Sequence, residues 1–205
     1  MYNIPYFKAN NQKEVIDFMH HHPFVTVVGV DVNSRPVATH IPVLMEEREG
    51  RIFLLAHMMK QTDHHKAFLQ NPHVLAIFSG AHTYVSASWY KDQQQAGTWN
   101  YQAVHVNGKL TFLQDDQLHS ILQRLTAHFE NNPASPSLVE NLTPEYMQRL
   151  MKAIIAFEIE VTSIDHVFKL SQNRDAESYR NIIHHLSNGD VEAKQVAEVM
   201  KQKIF

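Results

Sequence analysis

The chain has 205 residues, which suits one domain and is long enough to bury most of its apolar surface. Hydrophobic residues make up 44% and charged residues 19%, and a formal net charge of −3 gives no general attraction to nucleic acid or anionic lipid. The absence of cysteine excludes disulfides, and the lack of a signal-peptide layout or of about 20 consecutive apolar residues favours a cytoplasmic protein outside the membrane.

The first half of the chain predicts mainly strands, preceded by one helix. Asn11 followed by Glu14 is typical of a helix start, and Pro23 ends that helix. Pro42 indicates a sheet edge or a bulge within the second strand. Strands are predicted over residues 24–32, 37–45, 51–58, 74–78 and 84–88, with a short helix over residues 62–70.

The second half predicts a hairpin followed mainly by helices. The pair Asn107-Gly108 stands between strand-like runs over residues 99–106 and 109–112, which is the strongest local signal for a β-hairpin. Helices are predicted over residues 115–129, 143–152, 175–186 and 190–201, and strands over residues 154–162 and 167–170. Strands followed by peripheral helices predict a single α+β domain of residues 1–205. A small closed β-barrel, with the C-terminal helices of about residues 175–203 packed on it, is the most economical architecture.

Two stretches carry candidate binding chemistry, each with a simpler alternative. Lys60, Thr62 and Lys66 surround a predicted helix start, where a phosphate could bind; a solvated loop is the alternative. Lys169 and Ser171 share one face of a predicted strand, and the amide side chains that follow suit the edge of a heteroaromatic ring. A surface turn is the alternative there.

A third stretch, residues 98–105, is an aromatic and polar block that contains Trp99. It predicts either the lining of a site for a planar ligand or a packed aromatic cluster that closes one end of a barrel. The 15 histidines include no His-Glu-x-x-His spacing, so no metal site is predicted. No nucleophile elbow, dinucleotide fingerprint or phosphate loop occurs, so no catalytic residue is assigned.

In this order, the motifs resemble the PaiB-like family of FMN-binding split-barrel proteins, whose members are described as negative transcriptional regulators. The resemblance spans essentially the whole chain and implies an α+β split β-barrel, FMN as cofactor and a homodimer with two FMN sites at its interface. The motifs are Ala56-His57, Ser88-Trp89-Tyr90, Thr98-Trp99-Asn100-Tyr101-Gln102-Ala103-Val104-His105 and Lys169-Leu170-Ser171-Gln172-Asn173.

The resemblance also implies three groups of cofactor-binding residues. The residues that would hold the phosphate are His57, Met58, Lys60, Thr62, His65 and Lys66. The residues that would run along the flavin ring are Thr39, His40 and Ile41. The residues that would approach from the partner subunit are Trp99, Lys169, Ser171 and Gln172.

This chain departs from the family pattern at three points. An Ala-Arg-Ala-Asn segment of the family is replaced by the segment from Met59 to Thr62, a tryptophan by His65, and a proline by Gly97. Lysine offers phosphate a point charge where arginine offers two parallel donors, so the first change predicts a lower affinity for FMN.

Three functions are compatible with these features: an FMN-binding protein with a regulatory role, an FMN-dependent oxidoreductase or flavin reductase, and a direct DNA-binding repressor. Direct DNA binding is disfavoured because the second helix of the best helix-turn-helix candidate carries Glu192 and Glu198 and no arginine. We therefore expect any regulation to be indirect, through a flavin, a metabolite or a protein partner.

Overall fold

The computed structural model describes residues 1–203, which form six α-helices, seven β-strands and short 3-10 turns. The strands lie in one sheet with the order β2-β1-β5-β6-β7-β4-β3. The pairings of β1 with β2, β1 with β5, β3 with β4 and β4 with β7 are antiparallel. The strands are β1 (Phe24–Val30), β2 (Pro36–Pro42), β3 (Leu44–Arg48), β4 (Arg51–Met59), β5 (His73–Val85), β6 (Thr98–Phe112) and β7 (Ile154–Lys169).

Side-chain caps explain where most of the helices begin. Five of them start after a residue whose side chain accepts a hydrogen bond from a backbone N–H of the first turn: Asn11, Thr62, Thr143, Asp175 and Asp190. The helices are α1 (Gln12–His21), α2 (Asp63–Gln70), α3 (Asp115–Glu130), α4 (Pro144–Ala153), α5 (Ala176–Ser187) and α6 (Val191–Gln202). Among the described residues, no helix has the length and apolar character that crossing a membrane requires.

The chain divides into two compact units. The terminal unit comprises Met1–His22, Ser79–Val104 and the chain from Asp165 onward. The central unit comprises Pro23–Phe78 and His105–Ile164.

The core of the terminal unit is built around α5 and α6. Ile182 and Leu186 of α5 and Val196 and Met200 of α6 are buried in one cluster, together with Leu170, which directly follows β7. Tyr179 belongs to the same cluster; its hydroxyl donates to the Met200 carbonyl at 3.0 Å, and burial raises its pKa to about 12. The apolar faces of the two helices therefore serve packing.

The core of the central unit is covered by α3. Leu118, Ile121, Leu122 and Leu125 recur at helical spacing and are buried together with Leu55 of β4. The predicted amphipathic helix is therefore confirmed.

The predicted hairpin at Asn107-Gly108 is wrong, because β6 runs through both residues without a turn. Gly108 is needed for close approach: a Cβ there would lie 2.3 Å from Ile159 Cγ2 and 2.7 Å from the Glu160 carbonyl oxygen. Thr162 Oγ1 also donates to the Asn107 carbonyl at 3.1 Å. The glycine thus permits contact with β7. The Asn-Gly pair alone does not distinguish a glycine needed for such close approach from one needed for a turn.

Five other predicted strands are corrected, at three places in the chain. The predicted strand over residues 37–45 is two strands, β2 and β3, divided at Val43 directly after Pro42. The separate strands predicted over residues 74–78 and 84–88 form the single strand β5, followed by a 3-10 turn capped by the Ser86 side chain. The strands predicted over residues 154–162 and 167–170 form the single strand β7. β5 and β7 were each predicted as two strands because their middle residues are polar, and an apolar pattern indicates only the buried parts of a strand.

Candidate functional site

The connection between β4 and α2, in the central unit, is fixed by its own backbone. The Lys60 N–H donates to the Ala153 carbonyl at 2.9 Å, and Gln61 has a left-handed φ of 68°. The Gln61 N–H then donates to Nδ1 of His65 at 3.3 Å. This tight turn sets the positions from which Lys60 and Lys66 project.

The start of α2 is capped from within. Thr62 Oγ1 accepts from the His65 N–H at 3.3 Å and donates to the Met59 carbonyl at 3.1 Å. The His64 N–H donates to the Asp63 carboxylate at 2.8 Å. Since these first-turn N–H groups are already bonded, an anion bound here would be held mainly by lysine side chains.

The two lysines at this connection are available to an anion. Lys66 is exposed and Lys60 is half-buried, and within residues 1–203 neither forms an ion pair with a carboxylate. Lys66 also borders a cavity of about 530 Å³ between the turn after β1 and α2. On the other wall of that cavity, Arg35 is paired with Asp31 at 2.7 Å. Among the described residues, Lys66 is therefore the cation of this cavity that has no carboxylate partner.

His65 is a buried part of the structure. Its ring packs edge-on against Phe112 at 5.1 Å, and burial lowers its pKa, with the charges of His64, Lys60 and Lys66 acting in the same direction. The ring is therefore neutral near pH 7, and because Nδ1 accepts from Gln61, the proton lies on Nε2.

His57 has an unused hydrogen-bonding atom. It is half-buried on β4, and burial lowers its pKa. Its Nδ1 is buried and has no hydrogen-bond partner within residues 1–203. Buried polar atoms are rarely left unpaired, so this nitrogen can pair with a bound ligand. The neighbouring Met58 has a buried side chain and could offer a ligand only its backbone.

The strand β2 presents its candidate residues differently. Ile41 is buried, Thr39 is half-buried and His40 is exposed. The His40 ring stacks with Phe24 of β1, with centroids 6.2 Å apart and planes 27° from parallel. Phe24 is 64% exposed and was absent from the predicted site residues. An aromatic residue at the start of a strand was its only sequence signal.

In the terminal unit, the two longest motifs bind each other. The Lys169 ammonium donates to the Thr98 hydroxyl, and the Ser171 hydroxyl donates to Oδ1 of Asn100 at 3.0 Å. Asn100 is fully buried and Ser171 is 2% exposed. Thr98 and Asn100 are two positions apart, and so are the residues to which they bond, Lys169 and Ser171.

Gln172 satisfies its amide locally. Its Oε1 accepts from the Leu170 N–H at 2.7 Å, and its Nε2 donates to the Phe168 carbonyl. Ser171 adopts a left-handed φ of 62°, which turns the chain at this point. Gln172 and Ser171 therefore shape the strand end, and their side-chain hydrogen bonds are used within the protein.

Lys169 and Trp99 remain as groups that a ligand could use. Lys169 is half-buried with its ammonium 5.8 Å from the centre of the Phe7 ring, and its pKa is lowered by burial and then by Arg174. Trp99 is 53% exposed, and its ring contacts Tyr84 at 6.0 Å and His82 at 6.1 Å.

Tyr84 and His82 were also absent from the predicted site residues, although they stand two positions apart on one strand. Tyr84 explains the departure at Gly97: a Cβ there would lie 2.1 Å from the tyrosine hydroxyl. The glycine thus leaves room for the Tyr84 hydroxyl in this aromatic cluster.

The candidate residues thus form two sets, one in each unit. The central set contains Thr39, His40, Ile41, His57, Met58, Lys60, Thr62, His65 and Lys66, and the terminal set contains Trp99, Lys169, Ser171 and Gln172. In the part of the chain that the structure describes, no group of three or more His, Asp or Glu side chains could hold a metal ion.

Solved structures share this fold. The flavocytochrome Anf3 from Azotobacter vinelandii is similar with a TM-score of 0.59 and 16% identity, over 88% of this chain and 78% of that one. The FAD and heme binding protein from Mycobacterium smegmatis is similar with a TM-score of 0.58 and 16% identity, over 86% of this chain and 78% of that one. At these identities the likeness concerns the fold alone. The predicted α+β split β-barrel is confirmed.

Sequence relatives define the family. A family model described as "Putative FMN-binding domain" matches residues 1–163. Protease synthase and sporulation protein PAI 2 from Bacillus subtilis is 35% identical over 205 residues, which cover 100% of this chain and 98% of the relative. The chain belongs to this PaiB-like family of FMN-binding split-barrel proteins, as the motifs predicted, and its cofactor is FMN.

The residues present fit a flavin mononucleotide. Lys60 and Lys66 supply positive charge without carboxylate partners among the described residues, which suits a phosphate. His57 supplies a buried nitrogen without a partner in the same part of the chain, and Lys169 supplies a half-buried ammonium. Both are suited to the polar edge of a flavin ring.

Proposed function

We propose that this flavin-binding protein is a homodimeric regulator that acts indirectly, through its flavin, a metabolite or a protein partner. The observation that carries its flavin-binding part is the pair of lysines at the start of α2, which lack carboxylate partners within residues 1–203. In the proposal, Lys60 and Lys66 hold the FMN phosphate, while Thr62 and His65 fix the turn from which both project.

The proposal assigns the flavin ring to residues of both sets. Thr39, His40 and Ile41 run along the ring, and His57 offers its unpaired nitrogen. Trp99, Lys169, Ser171 and Gln172 approach from the partner subunit. FMN supplies hydride and electron transfer when bound, and the protein binds and orients it.

An indirect mode of regulation is supported by α5 and α6. Val196 and Met200 of α6 are buried against α5. The exposed residues of α6 include Glu192, Lys194 and Glu198, and Glu198 pairs with Lys201 at 2.6 Å, so acids offset the lysines. A helix that reads DNA needs an uncompensated basic surface, because phosphate neutralisation dominates affinity for duplex. Sequence-specific gel-shift binding at nanomolar protein and about 150 mM salt would contradict the proposal.

Flavin binding is tested directly by titration. FMN fluorescence should be quenched to saturation on addition of protein, and FAD should bind less tightly because the site is suited to a single terminal phosphate. No binding of FMN at about 100 μM would contradict the proposal, since this concentration detects even weak sites.

The homodimer is supported by exposed aromatic and apolar side chains in both units. Trp99 is 53% and Tyr84 50% exposed in the terminal unit, and Phe24 and Met59 are more than half exposed in the central unit. Sedimentation equilibrium should give twice the chain mass; a 23.7 kDa species at micromolar concentration would contradict a dimer. The lack of cysteine supports the proposed cytoplasmic location.

An FMN-dependent oxidoreductase or flavin reductase is a second candidate, favoured by the cavity of about 530 Å³ beside Lys66. A space of this size can accept a small molecule. Reduction of the bound flavin by NAD(P)H, followed in the visible spectrum, separates this candidate from a regulator that only binds FMN.

A further inference from the structure

The N-terminal segment of residues 5–10 bonds to β7 at His166, and at its end the Asn10 N–H donates to the Glu14 carboxylate of α1 at 2.9 Å. The Ala9 N–H donates to Nε2 of His166 at 2.9 Å. The Lys8 ammonium donates to the carbonyl of the same histidine, also at 2.9 Å. One imidazole and its own backbone thus hold the segment at two adjacent points, all within the terminal unit.

This segment forms a wall beside two candidate flavin residues. Phe7 is buried, and its ring lies 5.8 Å from the Lys169 ammonium. Tyr6 and Lys8 line a cavity of about 280 Å³ together with Gln172. If the segment moved away, Lys169 would lose an aromatic neighbour and the cavity would lose one side.

The hydrogen bond from Ala9 requires a neutral imidazole. Nε2 accepts only while it carries no proton, so in this state the ring proton lies on Nδ1. Protonation would place an N–H against the Ala9 N–H and abolish the bond. The His166 ring also packs edge-on against Phe168 at 5.5 Å, which fixes its orientation.

The charged groups around His166 come from several elements. Lys8 lies on the N-terminal segment, Glu14 on α1, Asp165 on β7, and Lys203 follows α6 and pairs with Glu14. Burial lowers the pKa of His166, Lys8 and Lys203 lower it further, and Asp165 and Glu14 act in the opposite direction. The folded protein therefore binds the proton less readily than the unfolded chain.

We propose that His166 is a pH-sensitive latch, whose neutral ring holds residues 5–10 against the strand end of Lys169 and Gln172 and whose protonation releases them. The latch is closed at neutral pH. Its contribution to stability is complete above the ordinary pKa of histidine, about 6.5, and is lost as pH falls through the lower folded value. Only its consequence for the cofactor rests on the proposed function.

The latch is tested in the full chain without flavin. The backbone amide of Ala9 is followed by NMR from about pH 7.5 to pH 5, with its hydrogen-exchange protection factor measured at each step. Protection should fall about tenfold or more as His166 titrates. His166→Gln keeps an acceptor that does not titrate, so its protection should stay constant over the same range.

The controls separate the latch from general acid effects. His20→Gln replaces an exposed histidine of α1 in the same unit and should follow the wild type. His166→Phe lacks the acceptor and should leave Ala9 weakly protected at every pH. Constant Ala9 protection in the wild type, or an unchanged pH dependence in His166→Gln, would overturn the latch.

A parallel FMN titration links the latch to the cofactor. The dissociation constant for FMN should rise several-fold between about pH 7.5 and pH 5.5 in the wild type and stay nearly constant in His166→Gln. FMN binding without an Ala9 transition would overturn the latch and leave the proposed function standing. An Ala9 transition without FMN binding would support the latch and overturn the proposed function.

Discussion

The two sets of candidate residues use their polar side chains in opposite ways. In the central set, Lys60 and Lys66 project from a turn and have no carboxylate partner within residues 1–203. In the terminal set, the Ser171 hydroxyl donates to the buried Asn100, and the Gln172 amide bonds to the backbone of Leu170 and Phe168. One set leaves charge for a ligand, and most of the other is used to hold strand ends together.

This difference shows that a polar motif has two possible uses and that its hydrogen-bond partners distinguish them. A buried amide and hydroxyl that satisfy each other contribute to stability, because removing one leaves the other unpaired. An ammonium without a counter-ion contributes little to stability and is available for binding an anion. Substitutions in the two sets should therefore change different measured quantities.

The largest effect on stability is expected at Asn100. In Asn100→Ala the buried Ser171 hydroxyl loses its acceptor and a small void remains, so the free energy of unfolding should fall by about 2–3 kcal/mol. Urea denaturation without FMN measures it. Asn173→Ala, at an exposed position of the same motif, should change it by less than about 0.5 kcal/mol. Equal losses for the two variants would contradict a structural role for Asn100.

The largest effect on binding is expected at Lys66. Lys66→Glu places a like charge opposite phosphate and should weaken FMN binding about 10- to 100-fold, with unfolding free energy nearly unchanged. Lys109→Glu, which makes the same charge change at an exposed site on β6, should leave the affinity within about twofold.

The neighbouring Lys60 sharpens this test. Lys60→Arg restores the two parallel donors of the family pattern and should tighten FMN binding several-fold. A fluorescence titration that ranks Lys109→Glu with Lys66→Glu, or Lys60→Arg below the wild type, would argue against a phosphate at this turn.

Local chemistry made the helices predictable. Asn11, Thr62 and Thr143 each bear a side chain suited to capping, and each caps the helix that the sequence placed after it. The length of the strands was harder to predict. Asn107-Gly108 has the sequence of a turn, and only the neighbouring strand shows that β6 continues through it. The glycine is demanded by Ile159 and Glu160, which lie about 50 residues away in the chain and cannot be anticipated from local sequence.

The candidate site was predictable to a similar extent. Lys60 and Lys66 were identifiable because they flank a recognisable helix start. The bond between Thr98 and Lys169 depends on the alignment of two distant strand ends, which no local pattern specifies. Phe24 was missed for the same reason: its relevance comes from its stack on His40, across a strand pair.

A smaller effect is expected at Thr62, which belongs to the central set but serves structure. Thr62→Ala removes the cap that accepts from the His65 N–H, so the free energy of unfolding should fall by about 1 kcal/mol. Thr62→Ser keeps the hydroxyl and should recover most of this loss in urea denaturation. FMN affinity should fall modestly in Thr62→Ala, because the turn that carries Lys60 and Lys66 loosens. A large loss of affinity shared by Thr62→Ser would instead indicate direct contact of the threonine methyl group with the ligand.

A small effect on stability is expected at Lys169, the member of the terminal set whose charge has no carboxylate partner within residues 1–203. Lys169→Met loses a hydrogen bond to Thr98 but relieves the burial of an ammonium, so the unfolding free energy should change by less than about 1 kcal/mol. FMN affinity should nevertheless fall about tenfold if the ammonium faces the flavin.

Because the folded pKa of Lys169 is lowered, the folded state binds this proton less readily. Its contribution to wild-type stability therefore increases as pH rises through that lowered value. In urea denaturation at increasing alkaline pH, the unfolding free energy of the wild type should therefore rise relative to that of Lys169→Met. A loss as large as that of Asn100→Ala would place Lys169 with the structural residues and leave the lysines near α2 as the charged groups of the site.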